Sequence, residues 1–183
     1  KEAKRIEKWF KKIESDLQNL FEDPLLKLIF DSNYFIFKIH QPDKEPYTLQ
    51  TLSSGFSSIM SIYADLITKI SLRSMDPEDL TGIVIIDEVD AHLHVSLQKK
   101  ILTFLINSFP KVQFIVTTHS PFVVTSIDNA VIYDLSTCQK IEDLSMYSYE
   151  AVLEGLFGVL PISTLLQNQI EELSELLKSS PID

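Results

Sequence analysis

The chain has 183 residues, of which 45% are hydrophobic, and it carries a formal net charge of -10 at pH 7. This length and apolar content suffice for the core of one domain, whereas the negative charge argues against a nucleic-acid-binding surface spread over the whole chain. A single cysteine, Cys138, excludes an internal disulfide and a zinc site built from several cysteines. No apolar run approaches the length of a membrane span and no secretory signal is seen, so we expect a cytoplasmic protein with no membrane partner.

The first predicted element is a helix from about Glu2 to Leu20. Its apolar residues recur at alternating spacings of four and three, which is typical of a heptad seam: Ile6, Phe10, Ile13, Leu17 and Leu20. The basic residues of the same stretch could contact the phosphates of DNA, although a solvated helix face is the favoured interpretation. Residues 1–24 are therefore predicted to be the end of a helical arm or lid.

A strand is predicted from Tyr34 to Ile39, and an amphipathic helix follows it from Ser57 to Leu72. Ser53, Ser54 and Gly55 lie at the start of that helix. Free backbone N–H groups and the positive end of the helix dipole favour anions at a helix start, and serine hydroxyls would add donors. The alternative is an ordinary serine N-cap that binds no ligand.

Two acidic residues follow the next predicted strand. Ile83 to Ile86 are typical of a fully buried parallel strand, so Asp87 and Glu88 emerge at its carboxyl end, where open α/β sheets bind ligands. Because successive strand side chains point in opposite directions, one carboxylate could hold a hard cation while the other orients a water molecule. An isolated acidic pair of this kind is more often a solvated strand end.

The remaining elements continue the alternation of helices and strands. A helix from about Val95 to Phe109 leads to a strand from Phe114 to Thr117, after which His119 could hydrogen-bond a phosphoryl oxygen. A further strand is predicted from Val131 to Leu135. This order predicts an α/β fold with a mainly parallel sheet flanked by helices.

Four short motifs, in this order along the chain, resemble those of ABC-type ATPases. LSSG at 52–55 resembles the signature motif, IVIIDE at 83–88 the Walker B strand, VDA at 89–91 the D-loop, and TTHSP at 117–121 the switch-histidine loop. DEVDAHLH and the later YSYEAVLEGLFGV are more narrowly similar to PtuA-type ATPase subunits of bacterial anti-phage defence, in the branch related to RecF, SMC and overcoming-lysogenisation-defect proteins. The resemblance implies the C-terminal lobe of an ABC-type P-loop ATPase.

The resemblance also implies a role for each residue that follows the two strands. Asp87 would hold Mg²⁺, usually through water, and Glu88 would polarise the water molecule that attacks ATP. His119 would contact the γ-phosphate. ATP and Mg²⁺ are therefore the implied cofactors, with Glu88 and His119 as catalytic residues.

A second set of implied roles requires two copies of the chain. Ser54 and Gly55 would touch the γ-phosphate bound to the opposite subunit, and Ser53 belongs to the same nucleotide-binding set. Asp90 would couple the two nucleotide sites. A homodimer is therefore the implied catalytic unit.

A phosphate-binding loop of the form GxxxxGK[ST] is absent from the sequence, because none of the four glycines begins one. We therefore expect the chain to be the C-terminal part of a longer protein, with the Walker A motif upstream. By itself the chain is expected neither to bind ATP tightly nor to hydrolyse it.

An acidic, helical tail is predicted over 145–183, after an ATPase lobe at 25–144. Helices from Tyr149 to Phe157 and from Ser163 to Leu177 are expected, and the second has an apolar stripe: Ile162, Leu166, Ile170, Leu173 and Leu177. The stripe could pack on the chain's own core, pair with another subunit or receive a partner. Packing on the core is the favoured interpretation, and the PtuA resemblance adds an HNH nuclease as a client.

Three functions fit these observations. The leading one is an ATPase whose ATP-driven dimerisation controls DNA engagement or a partner nuclease in anti-phage defence. The alternatives are a RecF-like DNA-repair ATPase and a non-catalytic scaffold that binds ATP structurally. Glu88 argues against the scaffold, because loss of that carboxylate is the usual route to an inactive site.

Overall fold

A computed structural model of the chain describes residues 2–73, 75, 79–141, 144 and 146–179. These residues form helices and strands in alternating groups, which confirms the predicted α/β class. The helices are α1 (Glu2–Phe21), α2 (Ser54–Leu72), α3 (Val95–Gln98), α4 (Ile101–Ser108), α5 (Pro121–Val124), α6 (Tyr149–Gly155) and α7 (Thr164–Ser179). The strands are β1 (Lys27–Asp31), β2 (Ile36–His40), β3 (Tyr47–Thr48), β4 (Gly82–Ile86), β5 (Val112–Val116), β6 (Ile132–Asp134) and β7 (Gln139–Ile141).

The first three strands form an antiparallel sheet in the order β1-β2-β3. The strand predicted from Tyr34 begins only at Ile36, because the preceding residues form the turn of the β1–β2 hairpin. In that turn the Asn33 amide donates a 3.0 Å hydrogen bond to Asp31 Oδ1, and Phe35 adopts a left-handed conformation with φ 54°. Strand β1 itself was not predicted from the sequence.

Helix α1 packs through the C-terminal half of its predicted seam. Leu17 and Leu20 are buried, whereas Ile6 and Phe10 are exposed. On the buried side, the Tyr63 hydroxyl of α2 donates a 2.7 Å hydrogen bond to Asp16 Oδ2. Helix α1 is thus attached to α2, the helix that begins within the LSSG sequence.

Helix α2 supplies the centre of the core. Its apolar residues recur every three or four positions, so one face is buried: Ile59, Tyr63, Leu66 and Ile70. The predicted helix is confirmed, and it starts at Ser54, three residues before the predicted start at Ser57.

Strands β4 and β5 form the parallel part of the fold, with Gly82 opposite Val112 and Ile86 opposite Val116. One face of this pair, which includes Val84 and Phe114, packs against the core. The opposite face is open, because Ile83, Ile85 and Ile115 are 63%, 75% and 47% exposed. The prediction of a fully buried strand is therefore wrong for one face of β4 in the part of the chain that the structure describes.

The helix predicted from Val95 to Phe109 is divided into α3 and α4. Lys99 and Lys100 lie in the turn between them. The Lys100 ammonium forms a 2.7 Å ion pair with Glu22, and the Lys99 ammonium lies 4.6 Å from the Tyr149 ring centroid. The turn therefore directs both cations to partners in other elements.

Strand β6 pairs with β7 in an antiparallel hairpin. It is shorter than the predicted strand from Val131 to Leu135, and among the described residues it does not extend the β4–β5 pair. In the hairpin turn the hydroxyls of Thr137 and Ser136 donate hydrogen bonds to the Asp134 carboxylate. The bond from Thr137, and then that from Ser136, lower the pKa of Asp134 to about 2.

The C-terminal elements differ in how they attach to the lobe. Helix α6 packs on α5, with the rings of Phe122 and Tyr149 in an edge contact at 4.5 Å. Four residues of the predicted stripe lie in α7 and are exposed, and none of them contributes to the core cluster among the described residues: Leu166, Ile170, Leu173 and Leu177. The fifth, Ile162, precedes the helix and is half-buried. The favoured packing of that stripe on the core is therefore wrong for this part of the chain. The boundaries predicted near 24 and 144 stay predictions, and residues 142, 143 and 145 lie outside the described residues.

Within the described residues, no helix combines the length and the apolar character that crossing a membrane would require.

Candidate functional site

The carboxyl ends of β4 and β5 lie side by side, because the two strands are parallel and in register. Two further hydrogen bonds follow the last residue pair of β4 and β5. The Thr117 amide donates a 3.0 Å hydrogen bond to the Ile86 carbonyl, and the Val89 amide donates one of 3.0 Å to the Thr117 carbonyl. The residues after each strand are therefore held together at one edge of the sheet. Asp87 and Glu88 belong to one of these segments, and His119 belongs to the other.

The hydroxyl of Thr117 connects both acidic residues. Its Oγ1 donates a hydrogen bond to Asp87 Oδ1 at 2.5 Å and accepts one from the Glu88 amide at 2.8 Å. One side chain thus orients the first carboxylate and the backbone of the second. In the sequence, Thr117 was identified as a strand end and as the first residue of TTHSP, and no role beside the acidic pair was predicted for it. The available signal was a hydroxyl residue at the end of a strand predicted to lie beside the acidic pair.

Glu88 adopts a left-handed backbone conformation with φ 48°. This conformation is uncommon for residues other than glycine and costs on the order of 1–3 kcal/mol. The Thr117 hydroxyl and the Ala91 amide, which donates a 2.9 Å hydrogen bond to the Glu88 carbonyl, hold it in place. The strand ends before Asp87, so this turn, rather than strand alternation, sets the direction of the two side chains.

Asp90 is attached to the same sheet edge. The hydroxyl of Thr118 donates a hydrogen bond to Asp90 Oδ1 and accepts one of 3.0 Å from the Ser120 amide. Next to Asp90, the side chain of Val89 is buried in the core. The segment that resembles a D-loop is therefore fixed by both packing and hydrogen bonds.

His119 lies on a short turn between β5 and α5, with an exposed side chain. The following residue holds this turn: Ser120 Oγ accepts a 3.1 Å hydrogen bond from the Phe122 amide and donates one of 2.7 Å to Gln98 Oε1. Gln98 in turn donates a 2.9 Å hydrogen bond to the Leu93 carbonyl. Ser120 and Gln98 thus connect the His119 turn with the segment after Asp90.

Gly55 brings the start of α2 against that same segment. It is buried, and a Cβ atom added to it would lie 3.0 Å from Leu97 Cδ1 and 3.3 Å from the His92 carbonyl oxygen. A side chain of any size would press on the backbone two residues beyond Asp90. A glycine here allows close contact between the LSSG sequence and the D-loop-like segment.

The two serines before Gly55 are exposed at the helix start. The Ser53 carbonyl accepts a 2.9 Å hydrogen bond from the Ser57 amide, and the Ser54 carbonyl accepts one of 3.0 Å from Ser58 Oγ. Among the described residues, no hydrogen bond joins either serine hydroxyl to Asp87 or Glu88. The predicted site residues therefore lie in two groups, one at the sheet edge and one at the start of α2.

The chemistry of the sheet edge suits a magnesium-bound phosphate. Mg²⁺ prefers oxygen ligands and is held in such sites by one or two carboxylates together with phosphate and water. Asp87 and Glu88 are exposed, and within the described residues neither forms an ion pair with a lysine or arginine. The described residues also contain no ready-made cluster of three metal-binding side chains, so a cation bound by Asp87 would need further oxygen ligands from nucleotide or water.

The parallel strand pair thus ends in two carboxylates, and the start of α2 packs beside the loop that follows them. Residues 4–125 match the family described as AAA domain, putative AbiEii toxin, Type IV TA system, and the chain belongs to this family. The predicted relationship to ABC-type ATPases of the PtuA branch is confirmed by this match and by the relatives described next.

The Retron Ec83 probable ATPase of Escherichia coli is 40% identical over 120 residues, which are 64% of this chain and 20% of that protein. The Septu protein PtuA of Bacillus mycoides strain KBAB4 is 31% identical over 167 residues, which are 83% of this chain and 23% of that protein. The chain therefore spans about a fifth of the length of these relatives. The SMC head domain from Thermotoga maritima aligns with a TM-score of 0.46 and 19% identity, over 64% of this chain and 40% of that chain.

Proposed function

We propose that the chain is the C-terminal lobe of an ATPase that hydrolyses ATP with Mg²⁺ in bacterial anti-phage defence. The observation that carries this proposal is the hydroxyl of Thr117 shared between Asp87 and the Glu88 amide at the end of the parallel strands. A longer polypeptide supplies the phosphate-binding loop, because this sequence contains no GxxxxGK[ST] motif.

Each residue at the sheet edge has a distinct role in this proposal. Asp87 holds the Mg²⁺ ion, directly or through water, and Thr117 orients its carboxylate. Glu88 accepts a hydrogen bond from the attacking water and orients it, and His119 donates a hydrogen bond to the γ-phosphate. Bound Mg²⁺ would neutralise phosphate charge and help to align the phosphoryl group.

The open face of β4 and β5 supports the proposal of a missing lobe. Parallel sheets are normally covered on both faces, yet Ile83, Ile85 and Ile115 are largely exposed. Covering these side chains with the lobe that carries the phosphate-binding loop would bury them and would place that loop beside the sheet. The chain matches only about a fifth of the retron Ec83 ATPase and of the PtuA protein of Bacillus mycoides, so the rest of each relative is long enough for such a lobe.

Contact between Gly55 and the His92 backbone supports a homodimer as the catalytic unit. In such a dimer, the start of α2 in one subunit would bind the γ-phosphate held by the other subunit. It can transmit the presence of that ATP to the catalytic loop of its own subunit only if the two segments are rigidly connected. Gly55 and Asp90 belong to two segments in direct contact, so Ser53 and Ser54 would move together with Asp90 when two subunits close on ATP.

The proposed output is control of DNA engagement or of a partner nuclease, such as an HNH enzyme, in the cytoplasm. The support is the similarity to proteins named as a retron ATPase and as Septu PtuA. The net charge of -10 restricts any DNA contact to a local basic segment such as the arm helix.

The test is Glu88→Gln in the complete polypeptide that contains this chain. We expect Mg²⁺-dependent ATP turnover to fall at least a hundredfold, because the substitution keeps the shape of the side chain and removes its negative charge. ATP-dependent association, measured as solution mass, should persist. Glu154→Gln on α6 is the matched control and should leave both quantities unchanged. Equal turnover in wild type and Glu88→Gln would contradict the catalytic role and favour a scaffold that binds ATP without hydrolysing it.

A further inference from the structure

Helix α7 presents an apolar stripe to solvent. Leu166, Ile170, Leu173 and Leu177 lie along one side of this 16-residue helix, and each is between 44% and 62% exposed. None of the four belongs to the core cluster of the described residues. The stripe is therefore a surface that the described fold leaves uncovered.

A helix of this length is marginal in water when it lacks tertiary packing. Most helical stability in proteins comes from burial of an amphipathic face. The regular structure of α7 thus indicates that its stripe packs against a surface outside the described residues of one chain.

The spacing of the stripe indicates which kind of surface fits. Successive stripe residues are four, three and four positions apart, which places Leu166 and Leu173 at the d positions of a heptad, and Ile170 and Leu177 at the a positions. In two-stranded parallel coiled coils, a β-branched residue is favoured at a and leucine at d. Leu166, Ile170 and Leu173 follow this preference, whereas the second a position holds a leucine, Leu177. Three of the four stripe residues therefore match a seam with a second helix of the same kind.

The charges of α7 favour a second copy as that helix. The positions that flank the seam are uncharged: Gln167, Gln169, Ser174 and Leu176. The acidic residues occupy outer positions away from the seam: Glu171, Glu172 and Glu175. Two identical helices can therefore approach without the like-charge repulsion that flanking carboxylates would cause, whereas a basic partner would find no acidic residues beside the seam.

We propose that α7 pairs with α7 of a second copy of this chain as a short parallel two-helix contact. The contact requires no nucleotide, because no residue of the candidate ATP site takes part. Two heptads provide only a small interface, so the pairing, which rests on the proposed ATP-driven dimer, reinforces that dimer and keeps two subunits close before ATP binds.

Cysteine cross-linking in the complete polypeptide tests this pairing. In a Cys138→Ser background, the thiol of an Ile170→Cys variant should cross-link between subunits, without ATP, at least ten times faster than the thiol of Glu175→Cys under copper-phenanthroline oxidation. Position 170 faces the partner in a parallel pair, and position 175 faces away. The result does not depend on turnover, so it can succeed or fail separately from the ATPase proposal.

A second variant measures the same contact without a thiol. Ile170→Glu should lower the ATP-free dimer fraction in sedimentation experiments, whereas Glu175→Gln should leave it unchanged. Equal cross-linking at both positions would overturn the proposal. So would protection of the Ile170→Cys thiol in a monomer, which would indicate packing on its own chain, or protection only after a nuclease is added, which would indicate a different partner.

Discussion

The hydroxyl of Thr117 donates a 2.5 Å hydrogen bond to the carboxylate of Asp87, across 30 positions of sequence and two parallel strands. The same hydroxyl accepts a hydrogen bond from the Glu88 amide. The proposed Mg²⁺ ligand and the proposed catalytic carboxylate therefore have a common positioning residue on the neighbouring strand. This relationship explains how a left-handed residue is maintained in the middle of the site.

Replacing Thr117 with valine keeps the shape of the side chain and removes the hydroxyl. We expect Thr117→Val to lower ATP turnover by about 10- to 100-fold and to raise the Mg²⁺ concentration needed for half-maximal rate, as is typical when a ligand loses its outer hydrogen bond. Kinetics over a range of Mg²⁺ concentrations would measure both effects. Thr117→Ser keeps the hydroxyl and should restore most activity. An unchanged Mg²⁺ requirement in Thr117→Val would contradict the positioning role.

Adding a methyl group at Gly55 tests the contact between the start of α2 and the loop after Asp90. In Gly55→Ala the new Cβ presses on Leu97 and on the His92 carbonyl, which offsets the gain in helix propensity of about 1 kcal/mol. The free energy of unfolding should therefore change by less than about 1 kcal/mol, while ATP-dependent association falls at least tenfold. Gly155→Ala is the matched control, because its added Cβ would meet no atom within 4 Å outside its neighbours and the backbone of its own helix. Normal ATP-dependent association in Gly55→Ala would show that this close contact is dispensable.

The buried hydrogen bond between Tyr63 and Asp16 should stabilise the attachment of α1. Tyr63→Phe removes a donor from a carboxylate that also forms a 2.9 Å ion pair with Lys12. We expect the free energy of unfolding to fall by about 1–3 kcal/mol, which is the usual cost when a buried carboxylate loses a hydrogen-bond donor. Chemical denaturation would measure it. Tyr133→Phe, at an exposed site, is the control, and an equal loss in both variants would argue against a special role for the buried pair.

The same pair predicts how stability depends on alkaline pH. Burial, and then the nearby Asp16 carboxylate, raise the pKa of Tyr63 well above its ordinary value near 10. The folded state therefore keeps the phenol of Tyr63 protonated. Its contribution to the unfolding free energy is complete below pH 10. The contribution is lost as the pH rises above 10, because the phenol ionises first in the unfolded chain. Between about pH 10 and 11, the unfolding free energy of wild type should fall more steeply than that of Tyr63→Phe. Parallel slopes would contradict this prediction.

Lys99 joins α6 to the rest of the lobe through two aromatic rings. Its ammonium lies 5.3 Å from the Phe122 ring centroid and 4.6 Å from that of Tyr149. Lys99→Met keeps most of the apolar stem and removes the charge, so we expect α6 to lose about 0.5–1 kcal/mol of local stability. Hydrogen exchange at the Val152 amide would measure the loss. Lys140→Met in the exposed hairpin should have no effect on that amide.

Local patterns in the sequence were sufficient to predict α1, α2 and the parallel strands, because apolar periodicity reflects which face of an element is buried. The acidic pair after β4 and the glycine at the start of α2 were also visible in the sequence, and they identified the motif family. Each of these features depends on residues close together in the chain.

Contacts between distant segments decided the rest. The role of Thr117 required the register of β4 against β5, and the close approach of Gly55 to His92 required the packing of α2. The predicted helix from Val95 to Phe109 is divided at Lys99 and Lys100, whose ammonium groups contact residues of other segments. The exposed faces of β4 and α7 showed where apolar side chains remained uncovered. Sequence determined which elements form and which chemical groups follow them, whereas tertiary packing determined which groups touch, because register and burial depend on residues far apart in the chain.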